Sequence, residues 1–108
     1  MSPRYLISVF ALFFTFIAIA VAQTEWTPVQ SISDARITKL ANFAVSTHNS
    51  QSHSNLVFQK VVKGDYKIPV RETYYRLDIQ VQDGSVYQAV IVEKFWVGQT
   101  NLVSFVKI

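Results

Sequence analysis

After residue 30 the apolar residues follow two regular spacings in turn, and the first has the period of a helix. Its apolar residues lie on one face of an amphipathic helix: Ile37, Leu40, Ala41, Ala44 and Val45. Ser31 or Ser33 can cap this helix, with Asp34 in the first turn, where a carboxylate suits the helix dipole. The pattern predicts a helix over residues 34–48, and the polar residues 49–55 are expected to end it.

The period then becomes two, which is typical of strands. It predicts four strands in a meander: residues 56–63, 71–82, 86–93 and 102–107. The second of these has the clearest alternation, with apolar residues on one side: Tyr75, Leu77, Ile79 and Val81. Asp83 and Gly84 mark a hairpin turn after it. The helix has one apolar stripe and the sheet one apolar face, so we expect an α+β fold in which each covers the other.

The first 22 residues are expected to be a signal peptide. Arg4 supplies a positive charge, residues 6–21 are almost entirely apolar, and Ala20-Val21-Ala22 is a cleavage site of small residues. The competing interpretation is an uncleaved membrane anchor, since about 17 apolar residues is the lower limit for a span. The cleavage triplet and the polar sequence after it favour removal. We therefore expect a secreted protein with one domain over residues 23–108.

Composition narrows the classes of function. The chain has no cysteine, which excludes disulfides, thiol catalysis and thiolate metal sites. Without the leader, nine Lys and Arg stand against seven Asp and Glu, and this scattered balance does not indicate nucleic acid or a membrane surface as a partner. His48 and His53 are the two imidazoles, and no pair of residues suggests a nucleophile with its base. We expect no enzyme, no cofactor and no metal.

One block in the helix carries a family resemblance. Leu40-Ala41-Asn42-Phe43-Ala44-Val45, followed by His48-Asn49, resembles the helix signature of plant cystatins, which are secreted or vacuolar inhibitors of papain-type cysteine proteases. The resemblance implies a cystatin-like fold, one long helix packed across a curved four- to five-stranded antiparallel sheet. It also implies a papain-type cysteine protease as the partner, a role in plant defence, and the vacuole as an alternative location.

The resemblance places the first inhibitory element at a hairpin tip. Cystatins carry Gln-x-Val-x-Gly there, and this chain has Lys67, Ile68, Pro69, Val70 and Arg71. The Gln, the central Val and the Gly are therefore all replaced. If position 71 keeps a glycine-like positive φ, the arginine would carry about 1–2 kcal/mol of strain. The alternative is an ordinary exposed hairpin without a partner.

The other two elements flank this tip in the family. Thr24 and Glu25 stand where plant relatives usually have glycines, and Trp26 matches the residue that follows. Trp26 either holds the extended lead-in, residues 23–32, against the domain or contacts the protease. We favour the first interpretation. Phe95 and Trp96 stand at the family's Pro-Trp pair. Trp96 is expected to anchor the interface, with a half-buried cover for the sheet end as the alternative.

The leading hypothesis is a secreted, reversible inhibitor of papain-type cysteine proteases. We expect weak inhibition, because the Gln and both glycine elements are lost. The alternative is a non-inhibitory protein-binding module on the same fold, since a fold does not fix a function. We expect a monomer, with a domain-swapped dimer as the alternative.

Overall fold

The computed structural model describes residues 25–108, in which one helix packs on a five-stranded sheet. In chain order the elements are β1 (Thr27–Pro28), α1 (Ala35–Ser52), β2 (Phe58–Lys67), β3 (Thr73–Val81), β4 (Val86–Lys94) and β5 (Gln99–Lys107). The predicted α+β class is confirmed. The predicted signal peptide and Thr24 lie outside the described residues.

The helix begins one residue later than predicted and ends four residues later. The predicted serine caps are wrong, because Asp34 itself is the N-cap and its side chain accepts a hydrogen bond of 2.8 Å from the Arg36 N–H. At the other end the helix continues to Ser52 and stops at His53, whose left-handed backbone (φ 53°) closes it. Of the polar residues after His48, Asn49 is half-buried and bonds the start of β2, and residues 50–52 are exposed, so the added turn buries no unpaired polar side chain.

The five strands form one antiparallel sheet in the order β1-β2-β3-β4-β5. The lead-in contributes the two-residue strand β1, where Thr27 pairs with Tyr66. β2 extends to Lys67, beyond the predicted end at residue 63, and β5 begins at Gln99, before the predicted start at residue 102. Both extensions follow from pairing with the neighbouring strand, which the local alternation does not report.

The core lies between α1 and the inner face of the sheet. Its buried residues include the entire predicted helix stripe and the predicted apolar side of β3: Ile37, Leu40, Ala41, Ala44, Val45, Tyr75, Leu77, Ile79 and Val81. His48 stacks on the Phe105 ring at 4.2 Å between centroids, and Phe105 stacks on Tyr87 at 5.0 Å. His48 is thus part of the packing, as expected.

Two features join the chain segments around this core. The Asn49 side chain ties the helix end to the start of β2, because its Nδ2 donates to the Leu56 carbonyl at 2.8 Å and its Oδ1 accepts from the Leu56 N–H at 3.0 Å. Gly64 lets the lead-in lie close, since a Cβ there would meet Val29 at 3.0 Å and Leu77 at 3.1 Å. Within the part of the chain that the structure describes, no helix is long and apolar enough to cross a membrane.

Candidate functional site

Three irregular segments leave the sheet at the same end. Thr27 pairs near the end of β2, β2 and β3 are joined by residues 68–72, and β4 and β5 are joined by residues 95–98. Because Thr73 pairs with Glu93, the two connections are neighbours across the sheet. Three segments lie together at this end: residues 25–26 at the start of the lead-in, the tip (residues 67–72) and the second loop (residues 95–98). We call this part of the molecule the loop end.

The loop end presents apolar side chains to solvent. Val70 is 81% exposed, Phe95 69% and Ile68 41%. Pro69 between the two aliphatic tip residues has a fixed φ and also restricts Ile68, so the tip keeps a narrow range of shapes. Exposed apolar side chains held on one rigid edge are suited to fill a partner's cleft.

Trp26 is held against the outer face of the sheet by two cations. Lys67 Nζ lies 4.6 Å from the centroid of the indole ring, and the Arg76 guanidinium carbon lies 4.5 Å from it. Arg76 is fixed in turn by Asp65, whose carboxylate accepts from the guanidinium at 2.9 Å and is buried. Lys67 Nζ is also 5.8 Å from the Tyr74 ring. The geometry supports the favoured reading that Trp26 pins the lead-in.

Arg71 does not have the strained backbone considered for it. Among the described residues other than glycine, His53 is the one with positive φ. The Arg71 side chain leaves the tip and lies over Trp96 of the second loop, with the guanidinium carbon 4.4 Å from the ring centroid. Phe95 meets the same indole edge-on at 5.6 Å. Trp96 is therefore in contact with both neighbours and remains 37% exposed.

Sequence reasoning missed the contribution of the outer sheet face to this site. Asp65 and Arg76 are directly opposite each other in the β2–β3 register, where an opposite-charge pair stabilises a sheet. The predicted strand ends at residue 63, so the register that pairs Asp65 with Arg76 could not be foreseen.

A second ion pair lies at the start of the helix, where Arg36 pairs with Glu93 at the base of the second loop. The Tyr75 hydroxyl, and then Glu93, raise the pKa of Arg36 above its ordinary value.

The chemistry of the loop end is that of a binding surface. Residues 25–108 contain no group of three or more His, Asp or Glu side chains placed to hold a metal ion. The side chains of this end are aliphatic, aromatic or cationic, with Glu25 and Glu72 as its acids. Such groups supply contact area, ring stacking and charge complementarity to a partner.

One helix packed on a five-stranded antiparallel sheet, with a lead-in and two loops gathered at one end, defines a cystatin-like protein. Residues 29–108 match the family described as SQAPI, aspartic acid proteinase inhibitor. The chain belongs to this cystatin-like plant family, and the predicted resemblance is confirmed. The matched residues include the tip and the second loop and leave out Trp26.

Individual relatives are named as inhibitors of another class of protease. The chain is 42% identical over 91 residues to "Cysteine proteinase inhibitor 1" of Actinidia chinensis var. chinensis, covering 82% of this chain and 78% of that protein. It is 36% identical over 84 residues to "Cysteine proteinase inhibitor 5" of Arabidopsis thaliana, covering 74% and 68%. It is 32% identical over 96 residues to "Cysteine proteinase inhibitor 6" of Oryza sativa subsp. japonica, covering 83% and 84%. All these descriptions name inhibitors, which are not enzymes, in agreement with the expectation for this chain.

Proposed function

We propose that the chain is a reversible inhibitor of papain-type cysteine proteases and that it binds through the loop end. The observation that carries this proposal is the gathering of Trp26, the tip and Trp96 at one end of the sheet, with apolar side chains exposed between them. An inhibitor of this kind fills the cleft and blocks substrate without chemistry of its own. The relatives described as cysteine proteinase inhibitors support the class of target.

Inhibition is proposed to be weak. Lys67, Pro69 and Arg71 replace the three residues that define the tip in plant cystatins. Lys67 places a charge, which is costly to desolvate, where the family has a neutral glutamine. Arg71 places a long side chain where the family has glycine. Ile68, Val70 and Phe95 still offer apolar contact area to a cleft. Secretion after removal of residues 1–22 is part of the same proposal.

The test is to express the full chain in a secreting plant host and to titrate the recovered protein against active-site-counted papain. Saturable, reversible loss of activity supports the inhibitor. An N-terminus at Gln23 supports cleavage and secretion. Absence of inhibition at micromolar protein, with the fold verified by circular dichroism, contradicts the proposal and leaves the non-inhibitory binding module and the second target considered below.

An aspartic protease is the second candidate target. The family description names this class, and the tip departs from the cystatin pattern at every defining position. Parallel titration of papain and of pepsin, each at its working pH, separates the two candidates. Inhibition of pepsin alone would replace the papain-type target with an aspartic one.

A further inference from the structure

Lys67 and Arg71, the two charged residues that replace the family's glutamine and glycine at the tip, each contact a tryptophan of another segment. Lys67, at the end of β2, reaches Trp26 of the lead-in at 4.6 Å. Arg71, at the far side of the tip, reaches Trp96 of the second loop at 4.4 Å. The chain has two tryptophans in all, so each of them is engaged by one of these cations. The tip is thereby connected to both of its flanking segments.

We propose that Lys67 and Arg71 are positioning residues that hold the lead-in and the second loop against the tip, so that the loop end meets its partner as one assembled surface. The proposal rests on the proposed function for its consequence in binding. Its structural part concerns this chain alone. The two residues act through Trp26 and Trp96, and their side chains need not touch the protease.

The lead-in has few other attachments at this end. Its strand β1 is two residues long, and its next backbone contact is the hydrogen bond of 3.0 Å from the Val29 N–H to the Gly64 carbonyl. Arg76 supplies the second cation on Trp26 and is itself fixed by the buried carboxylate of Asp65. Trp26 therefore rests on a fixed arginine, and Lys67 is the contact that links it to the tip.

In the second loop, too, a tryptophan is contacted by a cation of the tip. Trp96 lies in a short 3-10 helix, Phe95–Val97, whose three residues are all exposed. Phe95 packs on Trp96 from within the loop, and Arg71 is the contact from outside it. A loop with little burial of its own samples several conformations, and ordering it on binding reduces affinity. A cation on the indole ring favours the ordered form before binding.

The experiment uses the two tryptophans as separate reporters. In a Trp96→Phe background, fluorescence reports Trp26, and in a Trp26→Phe background it reports Trp96. Lys67→Ala should increase acrylamide quenching of Trp26, and Arg71→Ala should increase that of Trp96. Each change should leave the other reporter unaltered. Lys67→Arg and Arg71→Lys keep the cation and should restore the lower quenching.

Lys63→Ala is the matched control, because Lys63 is an exposed lysine on β2 that lies away from the tip. It removes the same charge and should change neither reporter. If Lys67→Ala or Arg71→Ala leaves the quenching of its reporter unchanged, or if Lys63→Ala has the same effect as they do, the corresponding contact does not hold the segment and the proposal is overturned.

Inhibition is then measured with both tryptophans present. Each of the two alanine changes should raise the inhibition constant against papain about 2- to 5-fold, the factor expected from one exposed cation–ring contact. An unchanged constant despite increased quenching overturns the positioning role. If the unaltered protein does not inhibit, the proposed function fails, and the quenching measurements still decide whether the two contacts exist.

Discussion

The core and the loop end of this small domain are stabilised in different ways. In the core, Leu77, Ile79 and Ile91 are fully buried, and among the described residues no buried side-chain nitrogen or oxygen lacks a hydrogen-bond partner. At the loop end, Val70 and Phe95 are mostly exposed, and the contacts are cations on indole rings. The residues that hold the fold together are therefore not the ones that the loop end presents to a partner. The two regions should therefore respond separately to mutation.

The largest expected effect is that of a core truncation. Leu77 is fully buried in the central strand β3, and Leu77→Ala should lower the free energy of unfolding by about 2–5 kcal/mol, because it leaves a cavity under the helix. Urea unfolding followed by circular dichroism measures this. Val70→Ala, at the exposed tip, is the control and should stay within about 0.5 kcal/mol of the unaltered protein. Equal losses for the two would contradict the separation of core and loop end.

At the loop end we expect the opposite: a mutation should affect inhibition more than stability. Trp96→Ala should weaken papain inhibition by about 2 kcal/mol or more if Trp96 anchors the interface. Because the residue is exposed and outside the core cluster, the free energy of unfolding should change much less. Inhibition constants and urea unfolding, measured on the same preparation, check both statements. Val103→Ala, at an exposed position of β5, serves as the control for loss of a surface apolar side chain.

The same comparison explains what could be predicted from sequence. All five predicted residues of the helix stripe, Ile37 to Val45, are buried, and so is the alternating side of β3. Burial imposes the period of the element on the sequence, so a periodic pattern can be read back. The end of the helix could not be placed, because Ser50 and Gln51 are exposed and satisfy a helix or a loop equally well.

The sequence indicated which residues form the loop end but not which residues they contact. The positions of Lys67, Arg71 and Trp96 followed from the family resemblance. What these residues contact depends on pairing across β2, β3 and β4, because Trp26 and Lys67 are 41 positions apart in the chain and Arg71 and Trp96 are 25 apart. A local pattern contains no information on such pairs. The strain considered for Arg71 required a positive φ at that position, and among the described residues other than glycine only His53 has one.

A polar contact should be the next largest source of core stability. Asn49→Ala removes both hydrogen bonds to the Leu56 backbone. The partly buried N–H and carbonyl of Leu56 then lose their side-chain partner. Loss of the pair should lower the free energy of unfolding by about 1–3 kcal/mol. Thermal and urea unfolding measure the change. Asn42→Ala, whose side chain bonds only the exposed Thr38 carbonyl within its own helix, should have a much smaller effect, and an equal effect would contradict the role of Asn49.

The smallest effect comes from two glycines, which offer a matched pair of turns at the two ends of the sheet. Gly98 follows Trp96 and Val97 with φ +64°, and Gly84 lies in the turn at the opposite end of the sheet with φ +84°; a Cβ at either meets nothing within 4 Å. Alanine at each position should therefore lower the free energy of unfolding by a similar amount, about 1 kcal/mol, through backbone strain alone. Gly98→Ala should also weaken inhibition, since relief of the strain shifts the second loop and the indole it carries. Gly84→Ala should leave the inhibition constant unchanged, and equal inhibition constants for the two variants would contradict the expected shift of the second loop.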